Sequence, residues 1–155
     1  MAARKVEVRR YIDGDGDYVA KNMREADKEE IMYLTLMRPA PAIRMTVSHA
    51  VGLWTGLVDG EIACIFGINR KTLTSDIGVP WLLGTPLMNE VPFAFLRGSL
   101  GYYKRMEKAF PQMENYVMAD HKHAVSWLSW LGFDMGEPMP IGVGGREYIR
   151  FTKGF

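Results

Sequence analysis

Residues 114–138 constrain the fold more than any other part of the chain. A short β-prone run at 115–118 comes first, and Asp120 is then in position to cap a helix. Apolar residues recur along that helix at three-to-four spacing: Ala124, Trp127, Leu128 and Leu131. Gly132 follows where a left-handed residue closes a helix, and Phe133 is expected to fold back onto the last turn. The segment therefore predicts a strand, a short amphipathic helix and a return into another strand.

The rest of the chain supplies further elements in a definite order. Alternating apolar and charged residues at 5–11 predict a first strand, and two or three helical pieces follow up to residue 49. Asp59 and Gly60 separate two apolar runs, at 51–58 and 61–69, which is a strong hairpin signal. A strand at 77–84 and a long helix from about residue 90 to 110 come next. After the segment 114–138, a last strand is predicted at 147–152.

Three local features carry specific predictions. Asp27 is expected to cap the second helix. That helix would direct four apolar side chains toward the core: Ile31, Met32, Leu34 and Leu36. Pro80 lies within a predicted strand and lacks an amide donor, so the strand must bulge or lie at a sheet edge there, and we favour a bulge. Gly98 and Gly101 are expected to let the long helix pack closely against a neighbour.

Size and charge bound the class of protein. The chain has 155 residues, 48% of them hydrophobic, which suits one domain over residues 1–155 with one sizeable core. Nineteen lysines and arginines nearly balance 18 aspartates and glutamates, so no global field attracts nucleic acid or an anionic membrane. No apolar run approaches the roughly 20 residues that span a bilayer. We therefore expect neither a nucleic acid nor a membrane as partner.

The sequence gives little support for metal or disulfide chemistry. Cys64 is the single cysteine, which excludes an intrachain disulfide, and its apolar neighbours predict a buried core residue. The acidic run at 13–17 has the spacing of a calcium loop. However, Tyr18 and Arg24 stand where an EF-hand needs glycine and glutamate. We predict a capped turn there and no metal site.

The order of elements, together with residues 75–133, resembles the GNAT acyltransferases. In that superfamily the segment after the fifth strand carries an alanine, an aromatic residue and Gly-Phe, as Ala124, Trp127, Gly132 and Phe133 do here. The resemblance implies an α/β (α+β) fold with a mixed, mostly antiparallel sheet, a splayed parallel strand pair and flanking helices. It also implies that acetyl-CoA binds at the splay, with its pyrophosphate at the start of the long helix, where free amides and the helix dipole favour an anion.

The loop that would hold the pyrophosphate departs from the family pattern. Active members usually have several glycines there, which let the backbone approach the phosphates. This chain has Gly84 alone, and Pro86 and Pro92 each remove an amide donor. The resemblance implies contacts with acetyl-CoA from six residues: Leu82, Leu83, Gly84, Thr85, Asn89 and Arg97. Backbone groups of the first three are the expected donors, and the arginine is a candidate phosphate contact.

The general acid also departs from the pattern. Many members place a tyrosine four residues before the glycine of Gly-Phe, where it protonates the leaving thiolate, and Leu128 stands there in this chain. Tyr116 and His121 are therefore the candidate catalytic residues. The helix that follows offers three alternatives: His123, Ser126 and Ser129. Asp76 and Glu90 are the carboxylates nearest the expected position of a general base.

Three blocks resemble a narrower group, the small GNAT-like proteins of tailed bacteriophages. They lie at 78–86, 95–97 and 127–133 and read GVPWLLGTP, FLR and WLSWLGF. Some proteins of that group are called internal virion proteins and others acetyltransferases. The resemblance implies a phage-encoded protein in the host cytoplasm, or one that is packaged in the virion.

Two functions from different classes follow from these patterns. The first is an acyl-CoA-dependent N-acetyltransferase-like protein with degenerate catalytic and loop residues, whose partners are acetyl-CoA and an unknown amine. The second is a non-catalytic virion or assembly protein on the same scaffold, whose partners are other phage virion proteins. The sequence leaves open whether the chain is an active enzyme.

Overall fold

The computed structural model describes residues 4–155, and its elements follow the predicted order. The strands are β1 Val6–Arg10, β2 Ala50–Val58, β3 Glu61–Arg70, β4 Gly78–Gly84, β5 Met113–Met118, β6 Asp134–Met135 and β7 Tyr148–Lys153. The helices are α1 Asp15–Asn22, α2 Glu25–Thr35, α3 Pro39–Ser48, α4 Pro92–Ala109 and α5 Lys122–Trp130. Short 3-10 turns lie at Pro86–Asn89 and Val143–Gly145. Within residues 4–155, no helix is both long and apolar enough to cross a bilayer.

The strands form one mixed sheet in the order β1-β2-β3-β4-β5-β7-β6. All neighbouring strands pair antiparallel except β4 and β5, which are parallel. These two pair only where Gly78 meets Met113, at the start of both strands, and then separate. The sheet is therefore the predicted one, mostly antiparallel with a splayed parallel pair.

Two turns confirm local predictions from the sequence. Asp59 (φ 50°) and Gly60 (φ 81°) both take left-handed conformations between β2 and β3, as a tight hairpin turn requires. Gly132 closes α5 with φ 93°. The amide of Phe133 then donates to Leu128 O at 3.0 Å, and its ring is buried. However, the cap predicted at Asp120 is wrong, because α5 follows His121 and makes no side-chain cap hydrogen bond.

The bulge predicted at Pro80 is also wrong. The pairing of β3 with β4 keeps an unbroken register along the whole of β4. The Thr85 amide donates to Ala63 O at 2.8 Å, and hydrogen-bonded pairs alternate along an antiparallel ladder. The even-numbered residues of β4 therefore direct their backbone groups toward β5. Pro80 lies on this edge at the splay, so its missing amide removes no bond to β3.

The sheet separates two hydrophobic clusters. The larger cluster packs α4 and α5 on one face through residues that include Phe66, Phe95, Tyr103, Phe133 and Phe151. The smaller cluster packs the first three helices on the other face around Val19, Met23, Ile43 and Ile65. Cys64 is fully buried, as predicted, and burial raises the pKa of its thiol. The helices therefore form a layer on each face of the sheet.

The second helix differs from its prediction. It begins at Glu25, so Asp27 lies in the first turn and its carboxylate makes tertiary contacts instead of a cap. Three of the apolar side chains expected in the core are exposed: Met32, Leu34 and Leu36. The face of α2 that meets the splay carries Asp27, Glu30, Ile31, Leu34 and Thr35. Two carboxylates of the helix therefore point inward, whereas Met32 and Leu36 do not line the cleft.

The glycines of α4 do not support the close packing predicted for them. A methyl group added at Gly98 would meet only Val6, at an ordinary 3.6 Å, and one at Gly101 would meet no atom within 4 Å. Both glycines lie on the open side of the helix. The close-packing prediction is wrong for this pair.

Candidate functional site

A cleft of about 270 Å³ lies where β4 and β5 separate. It passes through the sheet, because side chains from both helical layers line it. On the side of α4 and α5 the lining is apolar and includes Phe66, Leu82, Phe95, Leu96, Trp127 and Leu128. On the side of α2 it carries the polar groups Arg24, Asp27, Glu30, Tyr116, His121 and Tyr148, and we call this side the polar half. Apolar side chains such as Ile31 and Trp81 lie among them. The two halves suit different parts of a ligand.

The β4 edge of the cleft presents one open amide. The Pro80 carbonyl accepts a hydrogen bond from Asn115 Nδ2 at 2.8 Å, and the Gly84 amide donates to Asp27 Oδ2 at 2.7 Å. Leu82 lies between them on the same edge, opposite the part of β5 that has moved out of pairing. Its N–H therefore points into the cleft.

Side chains satisfy the amides of the β5 edge. The Tyr116 amide donates to Asn115 Oδ1 at 2.8 Å, and the Met118 amide donates to Glu30 Oε1 at 2.9 Å. Separated strand edges leave backbone groups without partners, and a buried polar group without a partner is costly. Asp27 and Glu30, about one turn apart on α2, thus each accept from one of the two separated strands.

A buried ion pair anchors α2 at the cleft. Arg24 Nε donates to Asp27 Oδ2 at 3.0 Å and Arg24 Nη2 donates to Asp27 Oδ1 at 3.2 Å, with side chains only 7% and 1% exposed. Burial raises the pKa of Asp27, and the guanidinium and the Gly84 amide oppose that effect. Both carboxylate oxygens are therefore used within the protein.

Glu30, His121 and Tyr148 form the polar wall next to the β5 edge. Glu30 Oε1 lies 3.4 Å from His121 Nδ1, and the Tyr148 hydroxyl donates to the Glu30 carbonyl at 3.0 Å. Burial, with the negative charge of Glu30 next in effect, raises the pKa of Tyr148 to about 12. Ligand atoms of Asp27, Glu30 and His121 lie within 4.8 Å of one another. A cation there would compete with the Arg24 guanidinium for Asp27.

The structure brings several of the predicted site residues to the cleft. Tyr116, His121, Leu82 and Leu83 all line it. The Leu83 amide, however, lies on the ladder with β3, opposite Ile65. With Gly84 bonded to Asp27, only the first of the three expected backbone donors directs its amide into the cleft.

The other predicted contacts lie outside the cleft lining. Thr85 is buried, and its hydroxyl bonds to backbone carbonyls of β3. The Asn89 side chain accepts from Arg24 Nη1 at 3.4 Å, and Arg97 is exposed on α4. Neither Asn89 nor Arg97 lines the cleft.

The loop before α4 uses several of its amides internally. Amides in this loop donate to carbonyls of the same turn or of β3, as at Thr85, Met88 and Glu90. The Glu90 carboxylate pairs with Arg4 at 2.7 Å, two residues before the helix begins. The loop is a compact turn rather than an open row of donors.

The sequence did not point to the side chains at the start of α2 and on its inward face. Arg24, Asp27 and Glu30 were not assigned to the site, although the two carboxylates are three positions apart and so share one face of a helix. That spacing was the available signal. Asn115, which joins the two strands where they separate, gave no comparable signal.

Comparisons with known proteins agree with this architecture. No protein-family model matches the chain, and no curated protein matches it at a significant level. Among solved structures, a ribosomal-protein-alanine N-acetyltransferase from Brucella melitensis superimposes with a TM-score of 0.72 at 8% identity, over 95% of this chain and 98% of that one. A GNAT-family acetyltransferase from Streptococcus pneumoniae gives 0.64 at 12% identity, over 96% and 98%. A ribosomal L7/L12 alpha-N-protein acetyltransferase in complex with coenzyme A gives 0.63 at 9%, over 96% and 93%. The chain therefore has the GNAT fold.

Proposed function

We propose that the protein is an acyl-CoA-dependent N-acyltransferase that works in the cleft between β4 and β5. The observation that carries the proposal is the Leu82 amide, which points into a split between parallel strands. Such a fixed donor suits the carbonyl oxygen of a thioester and the oxyanion that forms from it. The apolar half of the cleft suits an acyl group and the pantetheine arm, and one structure of similar fold holds coenzyme A.

The polar half of the cleft then receives the acceptor amine. Its nitrogen attacks the thioester carbonyl, a C–N bond forms, and the oxyanion accepts a hydrogen bond from Leu82. The C–S bond then breaks. We assign to His121 the proton that the amine gives up and to Tyr116 the proton that the thiolate takes up, because both side chains line this region. Much of the rate enhancement would come from holding the two reactants together.

The proposal places the pyrophosphate of acetyl-CoA at the loop before α4, with Thr85, Asn89 and Arg97 as the candidate contacts. This loop uses several amides internally and carries the Glu90 carboxylate. An anion is therefore stabilised by fewer free amide donors there than at a glycine-rich helix start. We therefore expect acetyl-CoA to bind more weakly than in family members with that loop.

Calorimetry with acetyl-CoA, followed by a transfer assay with a panel of amines, tests the proposal. We expect saturable binding in the wild-type protein and none in Ala124→Trp, which fills the cleft from α5. Leu73→Trp is the control, since that side chain is exposed and lies outside the cleft. Absence of heat and of a thermal shift at millimolar acetyl-CoA would remove the proposal.

A second candidate is a phage virion or assembly protein that keeps the scaffold without turnover. The compact loop before α4 supports it, because amides at Thr85, Met88 and Glu90 are already bonded within the protein and are not free for the phosphates that this position holds in active members. The resemblance of three sequence blocks to phage proteins points the same way. Mass spectrometry of purified particles and assembly intermediates would detect the chain, and its absence from both would reject this candidate.

A further inference from the structure

We infer that the acceptor is a cationic amine, bound as an alkylammonium ion by the carboxylate of Glu30. The inference rests on the proposed function for its catalytic meaning, but it concerns a binding site that is testable without acyl-CoA. Glu30 lines the polar half of the cleft, and its side chain is 20% exposed. It is therefore both within reach of a ligand and partly shielded from water.

The charge of Glu30 lacks a permanent counter-ion. Arg24 forms its ion pair with Asp27, so it does not neutralise the second carboxylate of α2. Glu30 Oε1 accepts from the neutral Met118 amide and lies near the His121 ring, which is charged only when protonated. Among residues 4–155, Oε2 has no hydrogen-bond partner. One oxygen of a partly buried carboxylate that lines the cleft thus remains without a partner.

The surroundings strengthen the negative potential at this wall. Glu29 and Asp120 act on Tyr148 together with Glu30, and all three raise its pKa. Arg146 is the one cation that acts in the opposite direction there. Its guanidinium stacks on the Tyr33 ring at 4.3 Å and donates to the Tyr33 hydroxyl at 3.1 Å, and it forms no ion pair with Glu30 among residues 4–155. Arg24 and Asp27 compensate each other as an ion pair, and the other charges that act on Tyr148 are three carboxylates and one arginine. This balance favours a cation over a neutral or acidic acceptor.

The position of Glu30 suits an acceptor. Glu30 holds the Met118 amide on the β5 edge, across the split from the β4 edge that carries Leu82. An ammonium ion bound at Oε2 therefore lies on the side of the sheet opposite the apolar half of the cleft. The ammonium ion gives one proton to solvent before it attacks as the free amine. The second proton, lost once the C–N bond has formed, is the one that we assign to His121.

The test uses a charged and an uncharged probe of similar shape, butylamine and butyrohydrazide, in the absence of acyl-CoA. Binding is followed by proton NMR of the imidazole of His121. We expect the alkylammonium to shift these resonances saturably and the hydrazide to shift them far less. Glu30→Gln should weaken alkylammonium binding about tenfold, the size expected for loss of one charge-assisted hydrogen bond.

Glu30→Gln is a matched change because the amide oxygen still accepts from Met118, so we expect an unchanged melting temperature. Glu25→Gln is the control, since that carboxylate lies on the same helix and is 81% exposed. Equal responses to both probes, or an unchanged response in Glu30→Gln, would overturn the inference. Loss of acetyl-CoA binding with a Glu30-dependent ammonium response would instead reject the proposed function and leave the cation site standing.

Discussion

Removal of the Asp27 carboxylate should destabilise the fold more than other single changes in α2. Asp27→Ala leaves the Arg24 guanidinium, 7% exposed, without its partner, and leaves the Gly84 amide without an acceptor. Breaking a buried ion pair from one side costs about 3–5 kcal/mol. A buried amide without an acceptor adds about 1–3 kcal/mol. The two losses share one site and are not additive, so we expect the free energy of unfolding to fall by about 4 kcal/mol.

Urea unfolding followed by tryptophan fluorescence measures this change, and an unchanged m-value would show that the unfolding transition is the same. The matched variant is Arg24→Met with Asp27→Leu, which replaces both charges by apolar side chains of similar volume. Such replacements are often neutral or better, so the double variant should be more stable than Asp27→Ala. Glu25→Ala, on the exposed side of α2, should change stability by less than about 0.5 kcal/mol.

Two results would refute this reasoning. A cost below about 1 kcal/mol for Asp27→Ala would mean that water reaches the guanidinium, contrary to its burial here. A double variant no more stable than Asp27→Ala would mean that the loss comes from the Gly84 contact or from packing, and not from an uncompensated charge.

Three further predictions concern the cleft edge, pH and a turn. Leu82→Pro removes the amide that points into the cleft but no bond to β3, so the acyl-transfer rate should fall about 100-fold, as for loss of an oxyanion donor. Leu83→Pro is the control: it removes a bond to β3 and should lower stability in urea more than Leu82→Pro does. Lys71 and Arg150 lower the pKa of Glu114, so its contribution to stability is present above its unfolded value of 4.5 and is lost as pH falls through the lower folded value. Glu114→Gln should therefore flatten the loss of stability in acid unfolding. Gly132→Ala should cost about 1–2 kcal/mol in thermal unfolding because φ is 93°.

Features that depend on a few adjacent residues were predictable from the sequence. Asp59 and Gly60 both take positive φ because a two-residue turn must match the twist of its strands. Gly132 closes α5 because a residue without Cβ takes a left-handed conformation at little cost. The order of strands and helices followed from such signals and from hydrophobic periodicity.

Features that depend on which distant segments meet were not predictable in this way. The periodicity of α2 shows an apolar side but not the sheet edge that the helix covers, so Leu36 was expected in the core and is 74% exposed. Aspartate is a common helix-capping residue, but the carboxylate of Asp27 accepts a hydrogen bond from the Gly84 amide on a distant strand instead. Pro80 appeared to require a bulge because the sequence does not show that β5 diverges there.

The candidate site followed the same division. The resemblance placed Tyr116 on the fifth strand and His121 at the start of the next helix, near the expected cleft, and both side chains line the cleft of the structure. Whether a backbone amide of β4 is free for a ligand depends on two other features. One is whether its residue bonds to β3, and the other is whether a side chain of α2 accepts from it. That is why Leu82 keeps an amide in the cleft while Gly84 does not.

The sequence by itself determined the order of elements, the positions of the turns and the strand-helix-strand segment at 114–138, because these follow from backbone preferences and periodicity along the chain. Only the tertiary structure decided where charge and open hydrogen-bonding groups lie. The two separated strands leave amides that must find acceptors, and α2 supplies Asp27 to one strand and Glu30 to the other. The polar groups that remain for a ligand are those left without a partner after these long-range hydrogen bonds have formed, and local sequence does not encode which distant groups pair.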